Sequence, residues 1–148
     1  MFTGNENRSL AKSSGLSVLI TMLVSISAMA GEPGTAASGE TVFELRTYTT
    51  HEGRLPALQA RFRDHTMGLF EKHGMRNIGY WIPADRPNTL IYIIAHADAD
   101  AVSSNWKAFA SDPAWQAVAR ESRKDGPILI EGGITNQFMT ATDYSPLK

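Results

Sequence analysis

Residues 77–96 read NIGYWIPADRPNTLIYIIAH, and this stretch decides the fold. Its two ends, 77–82 and 89–96, are rich in β-branched and aromatic residues, which is typical of strands. The connecting PADRPN is dense in proline, aspartate and asparagine and predicts a turn. Because so short a connection reverses the chain, the two strands form an antiparallel hairpin. The nearly continuous apolar run of the second strand favours a central position in a sheet.

The segment before the hairpin predicts a strand followed by a long helix. Residues 42–49 (VFELRTYT) alternate in character as a strand does. Over residues 53–73 the apolar period changes to that of an amphipathic helix, whose apolar face consists of Leu55, Leu58, Phe62, Leu69 and Phe70. Pro56 is tolerated only in a first helical turn, and Gly74 is a typical helix stop. The charged residues of this helix, Arg61 among them, are expected to lie largely off the apolar face.

The segment after the hairpin predicts two helices and a last strand. Asp98 or Asp100 caps the first helix, and the Asp-Pro pair at 112–113 starts the second one. A short extended piece follows, which Gly132-Gly133 is expected to break before a final strand over residues 134–142. The order β-α-β-β-α-β predicts an α+β fold of the ferredoxin-like type, a four-stranded antiparallel sheet with helices on one face. The uncovered apolar face of such a sheet is usually covered by dimerisation.

The first thirty residues have the layout of a secretory signal peptide. Arg8 and Lys12 give a positive start, residues 16–26 (LSVLITMLVSI) are mostly apolar, and residues 28–30 (AMA) place small residues where a signal peptidase cuts. Cleavage is predicted after Ala30. The apolar run is shorter than the roughly 20 residues of a membrane span. An uncleaved anchor and a mitochondrial presequence are the alternatives, but a presequence would be amphipathic and rich in arginine.

The chain therefore divides into a signal peptide (1–30), a flexible linker (31–40) and one domain (41–148), secreted or periplasmic, with no stable membrane span after cleavage. With 14 basic and 15 acidic residues in the whole chain, no basic stripe supports nucleic-acid binding. The absence of cysteine excludes disulfides, thiolate metal sites and cysteine nucleophiles.

Six segments carry a resemblance to a known family: VFELRTY (42–48), RFRDHTMGLFEKHGM (61–75), GYWIP (79–83), TLIYIIAH (89–96), WKAFASDPAWQAV (106–118) and TDYSPLK (142–148). Together they span the domain, which resembles bacterial members of the NIPSNAP family. The resemblance implies a dimeric α+β barrel, in which two ferredoxin-like sheets close face to face. Eukaryotic relatives are associated with mitochondria and vesicle-related roles. Since this chain has a secretory-type signal and one copy of the domain, those roles are not carried over.

His65 and Arg46 are the candidate catalytic residues. His65 is three and four residues from Phe62 and Leu69, so it is expected on or beside the buried helix face, where a half-buried imidazole can act as base or donor. The alternative is a core histidine held by one hydrogen bond. Arg46 lies within a strand and needs either a carboxylate of the protein, with Glu44 on the same face, or an acidic ligand.

Four aromatic residues are candidate ligand-binding residues: Tyr48, Tyr80, Tyr92 and Trp106. As pocket walls they would suit a flat, largely apolar molecule, but in a small domain such residues are usually core or interface. His96 ends the third strand and could reach a cleft. The four histidines lack metal-site spacing, and no phosphate loop, nucleophile elbow or HExxH motif is found, so neither a metal nor a cofactor is predicted.

The resulting hypothesis is an exported domain of undefined biochemical activity that binds a small, largely apolar ligand between sheet and helices. A non-catalytic interaction or assembly module is the alternative. A cofactor-independent monooxygenase-like enzyme is a second alternative, which rests on fold-level analogy with related dimeric barrels. A homodimer is expected in each case.

Overall fold

A computed structural model describes residues 39–148. The predicted signal peptide, and the linker apart from Gly39 and Glu40, lie outside the described residues. The elements are β1 (Val42–Thr50), α1 (Leu55–Arg61), a π-helical turn (Phe62–Thr66), α2 (Met67–Lys72), β2 (Arg76–Trp81), β3 (Thr89–His96), α3 (Ala99–Ser111), α4 (Pro113–Glu121) and β4 (Leu129–Thr140).

The sheet has the order β2-β3-β1-β4, and every neighbouring pair is antiparallel. This order confirms the predicted α+β, ferredoxin-like arrangement. In the register, Arg46 lies opposite Tyr92 of β3 and Asn136 of β4. Since strand side chains alternate between faces, Glu44, Arg46 and Tyr48 share the face on which the helices pack.

The core lies between that face and the helices. Leu58, Phe70 and Met75 are buried there against Tyr92 at the centre of β3. Aromatic rings fill much of this layer, and Phe62 meets Tyr92 edge to face at 5.1 Å between centroids. Fully burying a large apolar side chain stabilises a fold by about 1.5–3 kcal/mol, so this layer holds the helices onto the sheet.

The opposite face of the sheet carries no helix among residues 39–148. Alternation places Leu45, Ile91 and Ile93 on it, all half-buried. The C-terminal residues cover one end, where Leu147 lines a depression together with Phe43 and Ile93. On the remainder of this face, the apolar side chains lie beside the polar Thr47, Thr135 and Gln137.

The first helical segment consists of α1, the π-helical turn and α2. Its π turn changes which residues face the core. The Met67 amide donates to the Phe62 carbonyl, an i→i+5 bond that encloses one more residue than an α turn. The buried positions therefore step from Phe62 to Thr66 and on to Phe70. His65 is exposed, so the prediction that it lies on or beside the buried face is wrong.

The two glycines near the C-terminus form a bulge and do not end a strand. β4 is continuous through Gly132 and Gly133, which contradicts the predicted break. The register shifts here, because Tyr48 pairs with Ile134 whereas Thr50 already pairs with Leu129. Gly132 has φ +66°, and a Cβ on Gly133 would lie 2.6 Å from the Thr49 carbonyl oxygen. Glycine is thus required at position 132 by its positive φ and at position 133 by the close approach of the neighbouring main chain.

Two aspartates cap the later helices: Asp98, one of the two candidates for α3, and Asp112, the predicted cap of α4. Asp98 accepts a hydrogen bond from the Ala101 amide, and Asp112 accepts one from the Ala114 amide, both at 2.8 Å. Each bond satisfies a donor that has no partner within the helix. None of the helices formed by residues 39–148 is both long enough and apolar enough to cross a bilayer.

Candidate functional site

A buried carboxylate organises the polar groups between sheet and helices. Oε1 of Glu44 accepts hydrogen bonds from Arg46 Nη1 at 2.5 Å and from Asn136 Nδ2 at 3.1 Å. Oε2 accepts one from Trp106 Nε1 at 2.7 Å and lies 3.1 Å from His96 Nε2. We call these five residues the Glu44 network. It joins β1, β3, β4 and α3 through one side chain.

The network keeps Glu44 ionised although its side chain is 0% exposed. Burial raises the pKa of Glu44, but the hydrogen bond from His96 and the charge of Arg46 lower it below its ordinary value. Asn105 Nδ2 lies 3.4 Å from His96 Nδ1. Because the amide nitrogen is a donor, we assign Nδ1 as the acceptor and Nε2 as the nitrogen that donates to Glu44.

Arg46 is held on several sides. Its guanidinium lies 4.4 Å from the Trp106 ring and 5.5 Å from the Tyr48 ring. Burial lowers the pKa of Arg46, but the tyrosines and Glu44 outweigh burial and raise the pKa above its ordinary value. Of the two partners predicted for Arg46, the structure provides the carboxylate.

The four candidate aromatic residues are not grouped around one pocket. Tyr48 and Tyr92 are buried in the core, 5.3 Å apart between centroids, and Trp106 packs against that core while it donates to Glu44. Burial raises the pKa of Tyr92 well above its ordinary value, so its hydroxyl keeps its proton. Of the four, it is Tyr80 that lines a pocket, between the first helical segment and the β2–β3 hairpin.

That pocket, the sheet-edge pocket, lies between the first helical segment and the β2–β3 hairpin. It has a volume of ≈ 210 Å³, and most of its lining is apolar: Phe62, Met67, Tyr80, Trp81, Ile82 and Leu90, with the polar residues Gln59 and Arg63. The Tyr80 hydroxyl donates to Asn77 Oδ1. The arrangement offers apolar contact with a few polar groups beside it, as small-molecule sites do.

A second cavity, the helix groove, lies between the first helical segment and α4. It measures ≈ 540 Å³ and is lined by Arg54, Ala57, Ala60, Arg61, Asp64, His65, Ala117, Val118, Glu121, Ser122 and Asp125. His65 thus lies in this groove, whereas Arg46 belongs to the Glu44 network. The structure does not bring the two predicted catalytic residues together, and a catalytic role for either one stays a prediction.

Sequence reasoning missed part of both regions. Asn136 gave no signal, because an asparagine on a strand says nothing about its register. The sequence predicts Arg61 off the apolar face, but the residue is buried, because Trp115 of α4 and Ser122, which follows α4, pack against its side chain. Within residues 39–148, no three histidine, aspartate or glutamate side chains are grouped so that they could hold a metal ion.

Comparison with solved structures gives several of the same fold. A NIPSNAP-like domain protein from Burkholderia xenovorans is 17% identical with a TM-score of 0.63, over 73% of this chain and 90% of that one. A NIPSNAP family protein with unknown function from Agrobacterium tumefaciens is 22% identical with a TM-score of 0.63, over 74% and 96%. SnoaB, a cofactor-independent oxygenase from Streptomyces nogalater, is 18% identical with a TM-score of 0.51, over 72% and 98%. At these identities the likeness shows the fold alone.

Comparison with curated proteins gives no match. The profile of the NIPSNAP family matches residues 43–146, which include nearly all of the sheet and every helix described above. The resemblance inferred from the six sequence segments is therefore confirmed, and the chain belongs to the NIPSNAP family.

Proposed function

We propose that this protein binds a small, largely apolar molecule in the sheet-edge pocket. The observation that carries the proposal is the lining of that pocket, in which Phe62, Met67 and Leu90 come from both the helix and the sheet. A dry cavity of about 150 Å³ accepts benzene. The ≈ 210 Å³ available here suits a molecule somewhat larger than one aromatic ring. Gln59 and the exposed Arg63 offer hydrogen bonds to a polar end of the ligand.

The proposal is tested by titrating the full chain with indole, an uncharged aromatic probe, while recording backbone amide NMR spectra. We expect saturable shifts in the amides around residues 59–67 and 80–90. Met67→Arg places a charge in the apolar pocket and should weaken indole binding at least about tenfold. Ala108→Arg, at an exposed position of α3, is the matched control. Equal indole binding by Met67→Arg and the unmodified chain would rule the pocket out.

A catalytic role is supported less well than binding. SnoaB shares the fold and is a cofactor-independent oxygenase, which makes an oxygenase-like reaction the natural enzymatic alternative. The side chains of Glu44 and His96, however, are both 0% exposed, and their hydrogen bonds are directed at each other and at neighbouring residues. A substrate has no access to them, so the Glu44 network is better explained as a structural element. Turnover of an aromatic substrate that is lost in His96→Ala, with the fold retained, would restore the enzymatic alternative.

The protein is proposed to work as a homodimer. The support is the helix-free face of the sheet, where Leu45, Ile91 and Ile93 lie among half-buried positions and Trp81 is exposed. Apolar surface of this kind is stabilised when a second copy covers it. Sedimentation at micromolar concentration should give the mass of two chains, and Ile93→Glu should give the mass of one. A monomeric unmodified chain would refute the dimer.

Export is proposed on the basis of residues 1–30 alone. The positive start, the apolar run and the Ala-Met-Ala end together direct a chain to secretion or to the periplasm. Intact-mass measurement of the exported protein should find a chain that begins at Gly31. An exported chain that begins earlier would contradict cleavage after Ala30.

A further inference from the structure

Arg61 is a buried cation without an acidic partner in the part of the chain that the structure describes. The residue is 8% exposed. Nη1 makes one long contact, 3.5 Å to the Ser122 hydroxyl, and Nε has no hydrogen-bond partner. No carboxylate oxygen of residues 39–148 lies within 4.0 Å of its nitrogens. A buried charge is costly unless it is paired. The guanidinium of Arg61 can therefore still pair with an anion from outside the described chain.

A second arginine lies in the same groove and is held in a similar way. Arg54 Nη2 donates to the main-chain oxygens of Ser122 at 3.4 Å and Gly126 at 3.1 Å. Its Nε also lacks a partner among the described residues. Both guanidinium groups are therefore positioned by neutral groups near the end of α4, and neither is neutralised by an acid there.

The acidic residues of the helix groove do not neutralise these arginines. Asp64, Glu121 and Asp125 line the groove but are exposed. Glu121 pairs with Lys124 at 2.6 Å, on the outer surface of the same turn. The acids therefore lie in solvent, whereas Arg61 lies on the buried side, where an electrostatic interaction is stronger.

We propose that the helix groove binds a small organic oxyanion, whose carboxylate or phosphate group pairs with Arg61 and Arg54. A guanidinium presents donors in a planar fork that matches both groups. The apolar body of the ligand lies against Ala57, Ala117 and Val118, and His65 lies beside it. At ≈ 540 Å³ the groove falls within the usual range of small-molecule sites and exceeds what an inorganic ion needs. This site is separate from the sheet-edge pocket and does not depend on it.

The full chain is titrated with benzoate and with phenyl phosphate, and NMR follows the Arg61 Nε–H signal and the amides of α4. Benzamide, which has the shape of benzoate without its charge, is the ligand control. Saturable shifts are expected with one or both anions and not with benzamide. Arg61→Gln should weaken anion binding at least about tenfold, because a charge-assisted hydrogen-bonded pair is lost. Arg120→Gln, at an exposed position on α4 outside the groove, should bind as the unmodified chain does.

The two anions distinguish a carboxylate ligand from a phosphate ligand, and either preference supports the proposal. Inorganic phosphate that binds as tightly as phenyl phosphate would overturn the assignment of an organic ligand. Equal binding of benzamide, or benzoate and phenyl phosphate affinities unchanged in Arg61→Gln, would overturn the anion site. If Arg61→Gln fails to fold, Arg54→Gln replaces it, with at least about a threefold loss expected and an unchanged affinity counting against the site.

Discussion

Arg46 and Arg61 are both withdrawn from solvent and both lie over a tryptophan, yet they have opposite surroundings. Arg46 lies 4.4 Å from the Trp106 ring, and its charge is matched by Glu44. Arg61 lies 5.4 Å from the Trp115 ring and has no carboxylate partner among residues 39–148. The first arginine serves the fold, because its partner belongs to the same chain. The second, in our proposal, pairs with an anion from outside the chain. The presence or absence of a carboxylate partner thus distinguishes the structural Glu44 network from the proposed binding site in the helix groove.

The largest effect is expected from Glu44→Gln. The substitution keeps the shape of the side chain but leaves Arg46, whose side chain is 13% exposed, without its counter-charge. Arg46 would then lack a carboxylate partner, as Arg61 does. Breaking a buried ion pair by removing one partner typically costs about 3–5 kcal/mol, and we expect a loss near the middle of that range. Urea unfolding at fixed chain concentration measures it.

Glu131→Gln, at an exposed position on β4, is the matched control and should change the free energy of unfolding by less than about 0.5 kcal/mol. If Glu44→Gln costs no more than this control, the Glu44 network is not structural, and the contrast between the two arginines fails.

Arginine-to-methionine substitutions at both positions test the comparison directly. Arg61→Met removes a buried unpaired charge and keeps an apolar side chain against Trp115, so we expect the free energy of unfolding to rise by about 1 kcal/mol. Arg46→Met should lower it by about 3 kcal/mol, because Glu44 then loses its cation. Both are measured by urea unfolding under the same conditions.

The comparison depends on the two changes in the free energy of unfolding having opposite signs. A loss of stability of similar size in both variants would show that Arg61 is satisfied within the protein. If Arg61→Met instead raises the free energy of unfolding and abolishes anion binding, the unmodified protein is less stable than it could be because it keeps a buried charge for its ligand.

The smallest effect concerns Asp112, a carboxylate whose partner Lys72 is exposed. The hydrogen bond from Lys72, followed by those from His73 and the Ala114 amide, holds the pKa of Asp112 well below its ordinary value. A carboxyl group whose pKa is lowered by folding stabilises the protein above its unfolded pKa of about 3.9, and this contribution is lost as pH falls through the folded pKa. Asp112→Asn should therefore be less stable at neutral pH, and the difference should shrink below about pH 4.

Thermal unfolding midpoints across this pH range measure the difference. Asp85→Asn removes the same charge at an exposed position and serves as the control. A gap between Asp112→Asn and the unmodified chain that stays constant down to the most acidic pH would exclude the pKa explanation and point to a cause that does not depend on pH, since an asparagine oxygen still caps the helix.

Much of the fold was predictable from local signals. The limits of β3 agree with the prediction, and both capping aspartates act where their sequence contexts indicated, because a cap depends on residues within one helical turn. The pairing of Arg46 with Glu44 was also accessible, since strand alternation puts residues two apart on one face. The site beyond this pair was not accessible, because Asn136 is 92 positions from Glu44 in the sequence.

By itself, the sequence determined the order of the elements and the face that Glu44 and Arg46 share on β1, because these depend on spacings of two to four residues. Tertiary structure decided the rest. The π turn rotated His65 out to solvent, α4 buried Arg61, and the close approach of Thr49 to Gly133 turned an expected break into a bulge. Each of these results depends on how distant segments pack. Periodicity along one segment carries no information about the segment it will meet.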